Sequence, residues 1–420
     1  MNLLKKILNS SLWLLIGNSM GRLAMFLANI FAARILSQES FGQFAMIRNT
    51  ITMIEGIFSS SLGSITTKTI AENNSIENKF KIKAIVFSFF LINFFLSLLI
   101  MLIFIFYADY IVDKFFLNDT DLKTPLIISS FLLIANILYS FVQNSLIGFE
   151  KFKNIALNSI TVSILSTPFI YILIFKFNLI GAIFSVLLYF SLDFIFKSYY
   201  LIRILNTHKL DFNIKNNLKE ISYLLKASLP LILSLSISSI IFWYSRILII
   251  DYDNNFSNIA IFDAAYQWLM VIMIITHASS SSILPKLSNA FGSKNKKIFD
   301  DTFKIGILIN ISIALVIALI FSIFSKEIMS IYGENYIKGY YILIILSFST
   351  IFFTISITYN KFFISINKQW FILLSVFLSS IVMYSIIYLN SEKNIYILSI
   401  AFLAYYIVNS LVLYLIKRKI

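Results

Sequence analysis

Residues 84–107 read AIVFSFFLINFFLSLLIMLIFIFY, with Lys79, Lys81 and Lys83 directly before them. No side chain in this run carries a charge. At 1.5 Å of rise per residue, a helix of this length crosses the ~30 Å hydrocarbon core of a bilayer. Apolar and polar residues do not alternate in it, which excludes a strand of a membrane barrel. Runs of the same kind recur in both directions. We read twelve helical spans. The first six lie at about 11–33, 41–64, 84–107, 126–147, 155–175 and 179–201, and the second six at about 228–250, 258–283, 304–325, 340–361, 370–389 and 395–416.

The composition agrees. Of 420 residues, 59% are hydrophobic and 13% charged, with a mean hydropathy of +0.86. A soluble globular chain carries about 25% charged residues. Soluble enzymes, disordered chains and nucleic-acid binders are therefore excluded, despite a net charge of +14. In an apolar chain a basic surplus reports topology instead. There is no cysteine, so neither a disulfide nor a thiolate metal site is available. Two histidines and the absence of HExxH and GxxxxGK[ST] leave no motif for metal or nucleotide chemistry. The expectation is a protein that is not an enzyme and needs no cofactor or metal. Lys5 and Lys6 precede an apolar run, Ser11 to Ala33, that ends without a small-residue cleavage site, so it reads as a span and not a removable signal.

Basic residues set the orientation. Twenty-three fall on one side: Lys5, Lys6, the 68–83 loop, Lys151, Lys153, the 203–226 stretch, the 286–304 stretch, Lys361, Lys368 and the tail Lys417, Arg418 and Lys419. Seven fall on the other: Arg34, Lys114, Lys123, Lys176, Lys326, Lys338 and Lys393. The rule that cytoplasmic loops are basic puts both termini in the cytoplasm, which requires an even number of spans. The longest internal polar stretch divides the chain into a six-helix bundle (1–202), a cytoplasmic linker (203–227) and a second six-helix bundle (228–420). A shift of 218 residues lays Gly42 on Ala260 and Phe44 on Phe262. Two parallel six-helix halves, with a substrate site between them, form a common transporter plan.

An ionisable group inside a span is costly unless paired or wetted, so each is a functional candidate. The cations are Arg22, Arg48, Lys197 and Arg246, and the acids are Glu55, Asp193 and Asp263. Asn18, Arg22 and Asn29 form one stripe on the first span, and Arg48, Thr52, Glu55 and Ser59 another on the second. Ser234, Ser238, Ser245 and Arg246 give the seventh span a polar side, as Asp263, Gln267, His277 and Ser281 do the eighth. Asn136, Ser140, Gln143 and Asn144 do so for the fourth. The arginines, on three different spans, point to an anionic cargo, and the guanidinium fork suits phosphate. Near-terminal arginines also snorkel, a competing role for Arg246 and Arg48. Glu55, near mid-span, is the candidate proton-coupling acid, or else a fixed partner of Arg22 or Arg48. Asp263 is a cavity acid or a cap of the eighth helix. Asp193 and Lys197, at i,i+4, are a local ion pair in which the lysine can snorkel. Pro168 is expected to kink the fifth helix.

Three segments carry a resemblance. They are Ala33 to Ala45 (ARILSQESFGQFA), Gly148 to Lys153 (GFEKFK) and Tyr332 to Tyr336 (YGENY) followed by Leu343 to Leu346. With the length and span number, they make the chain resemble the Wzx-type flippases of O-antigen and polysaccharide repeat units, within the MATE-like MOP exporter superfamily. The resemblance covers nearly the whole chain. An Asp-Arg pair frequent in the family reads Ser245-Arg246 here, and a Gly-x-Tyr reads Ala260-Ile261-Phe262.

The resemblance implies an all-α integral membrane protein of twelve helices in two halves. It implies alternating-access flipping of undecaprenyl-diphosphate-linked oligosaccharide across a bacterial cytoplasmic (inner) membrane. The membrane lipids, a polysaccharide polymerase and a chain-length regulator are the implied partners, and nucleic acid is not. The rival readings are a MATE-like multidrug or small-molecule exporter, a lipid II flippase and a membrane-embedded polymerase or glycosyltransferase. The arginine-bearing, acid-poor spans disfavour the first, the chain length the second, and the short outer loops the third.

Overall fold

The computed structural model describes residues 13, 21, 23–75, 79–206, 214–281, 283, 287, 290–291, 295–366 and 368–419. Among them there are helices and no strand. Two units emerge: Met1–Leu36 with Met46–Leu235, and Ser37–Ala45 with Ser236–Ile420.

The first unit holds α1 (Leu23–Ile35), most of α2 (Gln38–Ser75), α3 (Lys79–Phe106), the short α4 (Ala108–Phe115), α5 (Lys123–Gly148), α6 (Phe152–Asn206) and the start of α7 (Ile214–Asp253). Its core joins Leu62 and Ile70 of α2, Ile85 and Phe89 of α3, Phe141 and Leu146 of α5, and Ile155 and Leu201 of α6. Lipid is as apolar as these side chains, so the helices are held by close packing and polar contacts more than by a hydrophobic force. The α2–α5 seam shows both. A Cβ added to Gly63 would lie 2.4 Å from the Asn144 amide, and one on Gly148 2.8 Å from Ile70. Thr67 Oγ1 donates to the Asn144 carbonyl at 2.9 Å.

At 55 residues α6 is too long for one crossing. Its one non-helical residue is Asn178, at φ 47° and ψ −125°. Asparagine reaches positive φ more readily than other non-glycine residues. The break therefore falls between the expected fifth and sixth spans and not at Pro168, where helical dihedrals persist. Gly181 permits it: a Cβ there would stand 2.0 Å from the Leu173 carbonyl oxygen. Beyond α6, the stretch expected as a linker is helical at 203–206 and again from 214 onward. Between α3 and α5 lies α4, which buries Ala108 and Val112.

The second unit holds the first turns of α2, the rest of α7, α8 (Ser257–Ser281), α9 (Lys296–Ile323), the single turn α10 (Ser325–Ser330), α11 (Tyr340–Ser365), α12 (Trp370–Leu389) and α13 (Ile395–Lys419). Amide and hydroxyl contacts pin the helices: Asn310 of α9 donates to Thr358 of α11 at 3.0 Å, and Asn409 of α13 to Ser375 of α12 at 3.3 Å. Two of the quoted segments meet here. The Phe41 ring lies 5.8 Å from that of Tyr336 and 6.4 Å from that of Tyr332. Gly42 sits on the chain at Phe256, where a Cβ would come within 2.1 Å of the carbonyl oxygen. Gln38 donates to the Ser257 carbonyl at 3.0 Å. These segments are structural: they seat the start of α2.

Eight helices among the described residues are long and apolar enough to cross a membrane. They lie on nine of the expected spans, with α6 covering two. The expected spans at 11–33, 41–64 and 258–283 run into residues or side chains outside the described ones.

Candidate functional site

In the first unit the polar face of α2 is held by amides from two neighbouring helices. Arg48 Nη1 donates to Asn29 Oδ1 of α1, and Asn29 is aimed by its own bond to the Met25 carbonyl at 2.7 Å. Two turns on, Glu55 accepts from Asn136 Nδ2 of α5. Each charged group thus has a neutral described partner, and each is only half-buried. Arg22 lies outside the described residues, so its relation to Glu55 and Arg48 is not part of this geometry.

The pair on α6 is of a different kind. Lys197 Nζ stands 2.6 Å from Asp193 Oδ2, and both side chains are 0% exposed. The ammonium also donates to Ser159 Oγ at 3.0 Å and lies 4.7 Å from the Tyr139 ring centre. Lys197 therefore does not snorkel. It points into the unit, where i,i+4 spacing, a hydroxyl and a ring face together hold a charge that lipid could not.

In the second unit Arg246 is 3% exposed. Its Nη1 donates to the Phe242 carbonyl at 2.6 Å. Three rings enclose the guanidinium: Tyr266 at 4.7 Å, Phe262 at 5.3 Å and Phe402 at 5.5 Å from its centre. Phe242 extends the cluster by stacking on Phe402 at 4.7 Å. Arginine suits this place because a planar cation binds ring faces and is weakly hydrated. α7 runs on to Asp253, so Arg246 is neither terminal nor snorkelling. Asp263 is fully buried and accepts from Gln267 Nε2 at 3.1 Å. It does not cap α8, which starts at Ser257. That turn is instead tied by Asn255, which accepts from the Ser257 N–H at 3.0 Å. The side chain of His277 lies outside the described ones.

The structure thus brings Arg48 beside Asn29, Glu55 beside Asn136, and Asp193 beside Lys197. Sequence reasoning missed the aromatic enclosure of Arg246. Phe262 and Tyr266 share a face of α8 with i,i+4 spacing, which is a readable signal, but Phe402 comes from α13 and carries none. Among the described residues no group of three or more His, Asp or Glu forms a metal site.

The family described as "Polysaccharide biosynthesis protein" matches residues 7–291, about two thirds of the chain. The chain belongs to the polysaccharide biosynthesis protein family. A second family, MatE, matches residues 230–389. No curated protein matches the sequence. Among solved structures, an inward-facing multidrug resistance MATE family transporter of the MOP superfamily superposes with a TM-score of 0.79 at 15% identity, covering 97% of each chain. A MOP superfamily transporter from Pyrococcus furiosus, described as having a binding pocket of reverse polarity, gives 0.75 at 17% identity over 99% of this chain and 95% of that one. A MATE transporter in complex with MaL6 gives 0.75 at 17% identity, again over 99% and 95%. The fold is the one these solved MATE-type transporters share, and its long apolar helices are those of a multi-pass membrane protein.

Proposed function

We propose that the protein is a flippase moving undecaprenyl-diphosphate-linked oligosaccharide across a bacterial cytoplasmic membrane by alternating access. Twelve spans and cytoplasmic termini complete that reading. The observation that carries it is membership of a polysaccharide biosynthesis family on an exporter fold. The membrane chemistry supports it. A diphosphate cannot cross hydrocarbon unaided, and a half-buried guanidinium is the side chain best matched to two phosphate oxygens. Arg48, with Arg22 on the preceding span, binds the diphosphate. Arg246 acts as a positioning residue through its aromatic cluster. Glu55 and Asp263 are the acids available for coupling to an ion gradient. A polysaccharide polymerase and a chain-length regulator are the protein partners.

The test is the leaflet sidedness of the lipid-linked oligosaccharide in cells with and without the gene, in a background lacking any other flippase. The reading expects cytoplasmic-side accumulation without the gene, cured by the wild type and by neither Arg22→Ala nor Arg48→Ala, with partial cure by Arg48→Lys. Normal sidedness in the deletion strain contradicts it. A second reading, small-molecule export, is favoured by the MatE match over residues 230–389. Drug susceptibility that rises on deletion, with sidedness unchanged, selects that reading. The Pyrococcus furiosus transporter, described as having a binding pocket of reverse polarity that suggests a different function, is a precedent for one fold with more than one kind of pocket.

A further inference from the structure

A polar cavity of about 390 Å³ opens in the first unit where the last turns of α2 and α6 meet the α5–α6 turn. Lys151 and Arg203 line it, with the amides of Asn74 and Asn154 and the phenol of Tyr200. Among the described residues no acidic one lines it. The five side chains supply two cations and three neutral donors, a set that suits a phosphate better than any neutral ligand.

The cations are placed by buried anchors. The chain leaves α5 through Glu150, at φ 56°, and the Lys151 N–H closes the turn onto the Leu146 carbonyl at 3.0 Å. The Ile155 N–H then bonds the Lys151 carbonyl at 3.1 Å, so the turn runs directly into α6. Phe149 and Leu201, two residues before Lys151 and Arg203, both lie in the buried core of this unit. One core therefore fixes the spacing of both cations. Glu150, the nearest acid in sequence, is exposed and does not line the cavity.

The surroundings identify where the phosphate comes from. Ile195, Tyr199 and Ile202, just before or beside Arg203 on α6, are exposed large apolar residues, as is Leu157 just after Asn154. In a membrane chain such residues face lipid. The cavity thus lies at the boundary between an apolar belt and a basic helix end, the level at which lipid phosphates sit. The basic-loop count places this end on the cytoplasmic side.

We propose that the cavity is a binding site for the phosphate of an anionic phospholipid headgroup in the inner leaflet, held between Lys151 and Arg203. The site is separate from the cargo-binding residues and stands whether or not the cargo reading holds.

The test is native mass spectrometry of the full chain in detergent, titrated with phosphatidylglycerol, with phosphatidylcholine of the same acyl chains, and with inorganic pyrophosphate. The two cations are expected to favour phosphatidylglycerol roughly tenfold, because phosphatidylcholine adds an ammonium that they repel. Lys151→Gln with Arg203→Gln, both exposed positions, removes the preference, and each single change removes part of it. Lys296→Gln with Lys297→Gln, exposed at the start of α9, leaves it intact. Equal binding of the two lipids, or a preference that survives the Lys151/Arg203 variant, overturns the proposal. So does pyrophosphate that binds at micromolar concentration and displaces phosphatidylglycerol, since the site then serves a soluble anion.

Discussion

The Asp193–Lys197 pair supports a quantitative prediction. Both side chains are fully buried, and Lys197 Nζ has three described partners: Asp193 Oδ2 at 2.6 Å, Ser159 Oγ at 3.0 Å and the Tyr139 ring at 4.7 Å. Asp193→Leu leaves the ammonium with a hydroxyl and a ring face and no counter-charge. Removing one partner of a buried pair costs about 3–5 kcal/mol, because the remaining charge stays desolvated. Lys197→Met strands the carboxylate, whose Oδ1 already has no described hydrogen-bond partner, and falls in the same range. The double variant leaves no charge. It loses one hydrogen bond at Ser159, about 1 kcal/mol, and fills the space with apolar atoms. The double variant is therefore expected to be more stable than either single one, with a coupling of several kcal/mol. Equilibrium unfolding of the purified chain in micelles of rising dodecyl sulfate fraction measures all four corners of the cycle. Single variants that each cost less than about 1 kcal/mol, and costs that simply add in the double variant, would refute the electrostatic account.

Other perturbations follow from the same geometry. Gly42→Ala drives a Cβ to 2.1 Å from the Phe256 carbonyl oxygen, and because backbone must move, a loss of about 1–3 kcal/mol is expected in the same unfolding assay. Wild-type stability would mean that α2 does not approach Phe256 so closely. Arg246→Lys keeps the charge but gives up the planar contact with three rings. A destabilisation of roughly 1–2 kcal/mol is expected, with transport reduced in proportion to folded protein. Transport lost at full stability would instead make Arg246 a direct cargo contact. Glu55→Gln retains an acceptor for Asn136, so stability should stay within about 1 kcal/mol. If Glu55 couples transport to protons, flipping by this variant no longer responds to an imposed pH gradient. An unchanged response assigns coupling elsewhere.

Much of the fold was legible because bilayer thickness leaves few options. Runs such as 84–107 have one physical reading, and the break at Asn178 falls between two spans already separated by length. Pro168 lies inside the helical stretch before the break, and the break itself is made by Asn178, which no proline or glycine signalled. The polar stripes were visible helix by helix, but the pairings across helices, Arg48 with Asn29 and Glu55 with Asn136, depend on packing that periodicity does not encode. The same limit applies to Lys197 and Arg246. Their positions along a helix allowed snorkelling, whereas their surroundings, Tyr139 in one case and Phe402 in the other, come from distant parts of the chain. Phe41-Gly42 and Tyr332 to Tyr336 stood out separately as family-like segments. Their meeting in one aromatic cluster became visible only in three dimensions.

The central claim is that this chain moves a diphosphate-linked lipid across a bilayer. Its most direct test uses the purified full chain in proteoliposomes with a fluorescently labelled undecaprenyl-diphosphate oligosaccharide, quenched from outside by a membrane-impermeant reagent. The account predicts that the protected inner-leaflet pool becomes accessible in vesicles holding the wild type. That pool stays protected in empty vesicles and in those holding Arg48→Ala, and labelled phosphatidylcholine remains in its leaflet throughout. A protected pool that persists with the wild type, or phosphatidylcholine moved as fast as the diphosphate lipid, contradicts it.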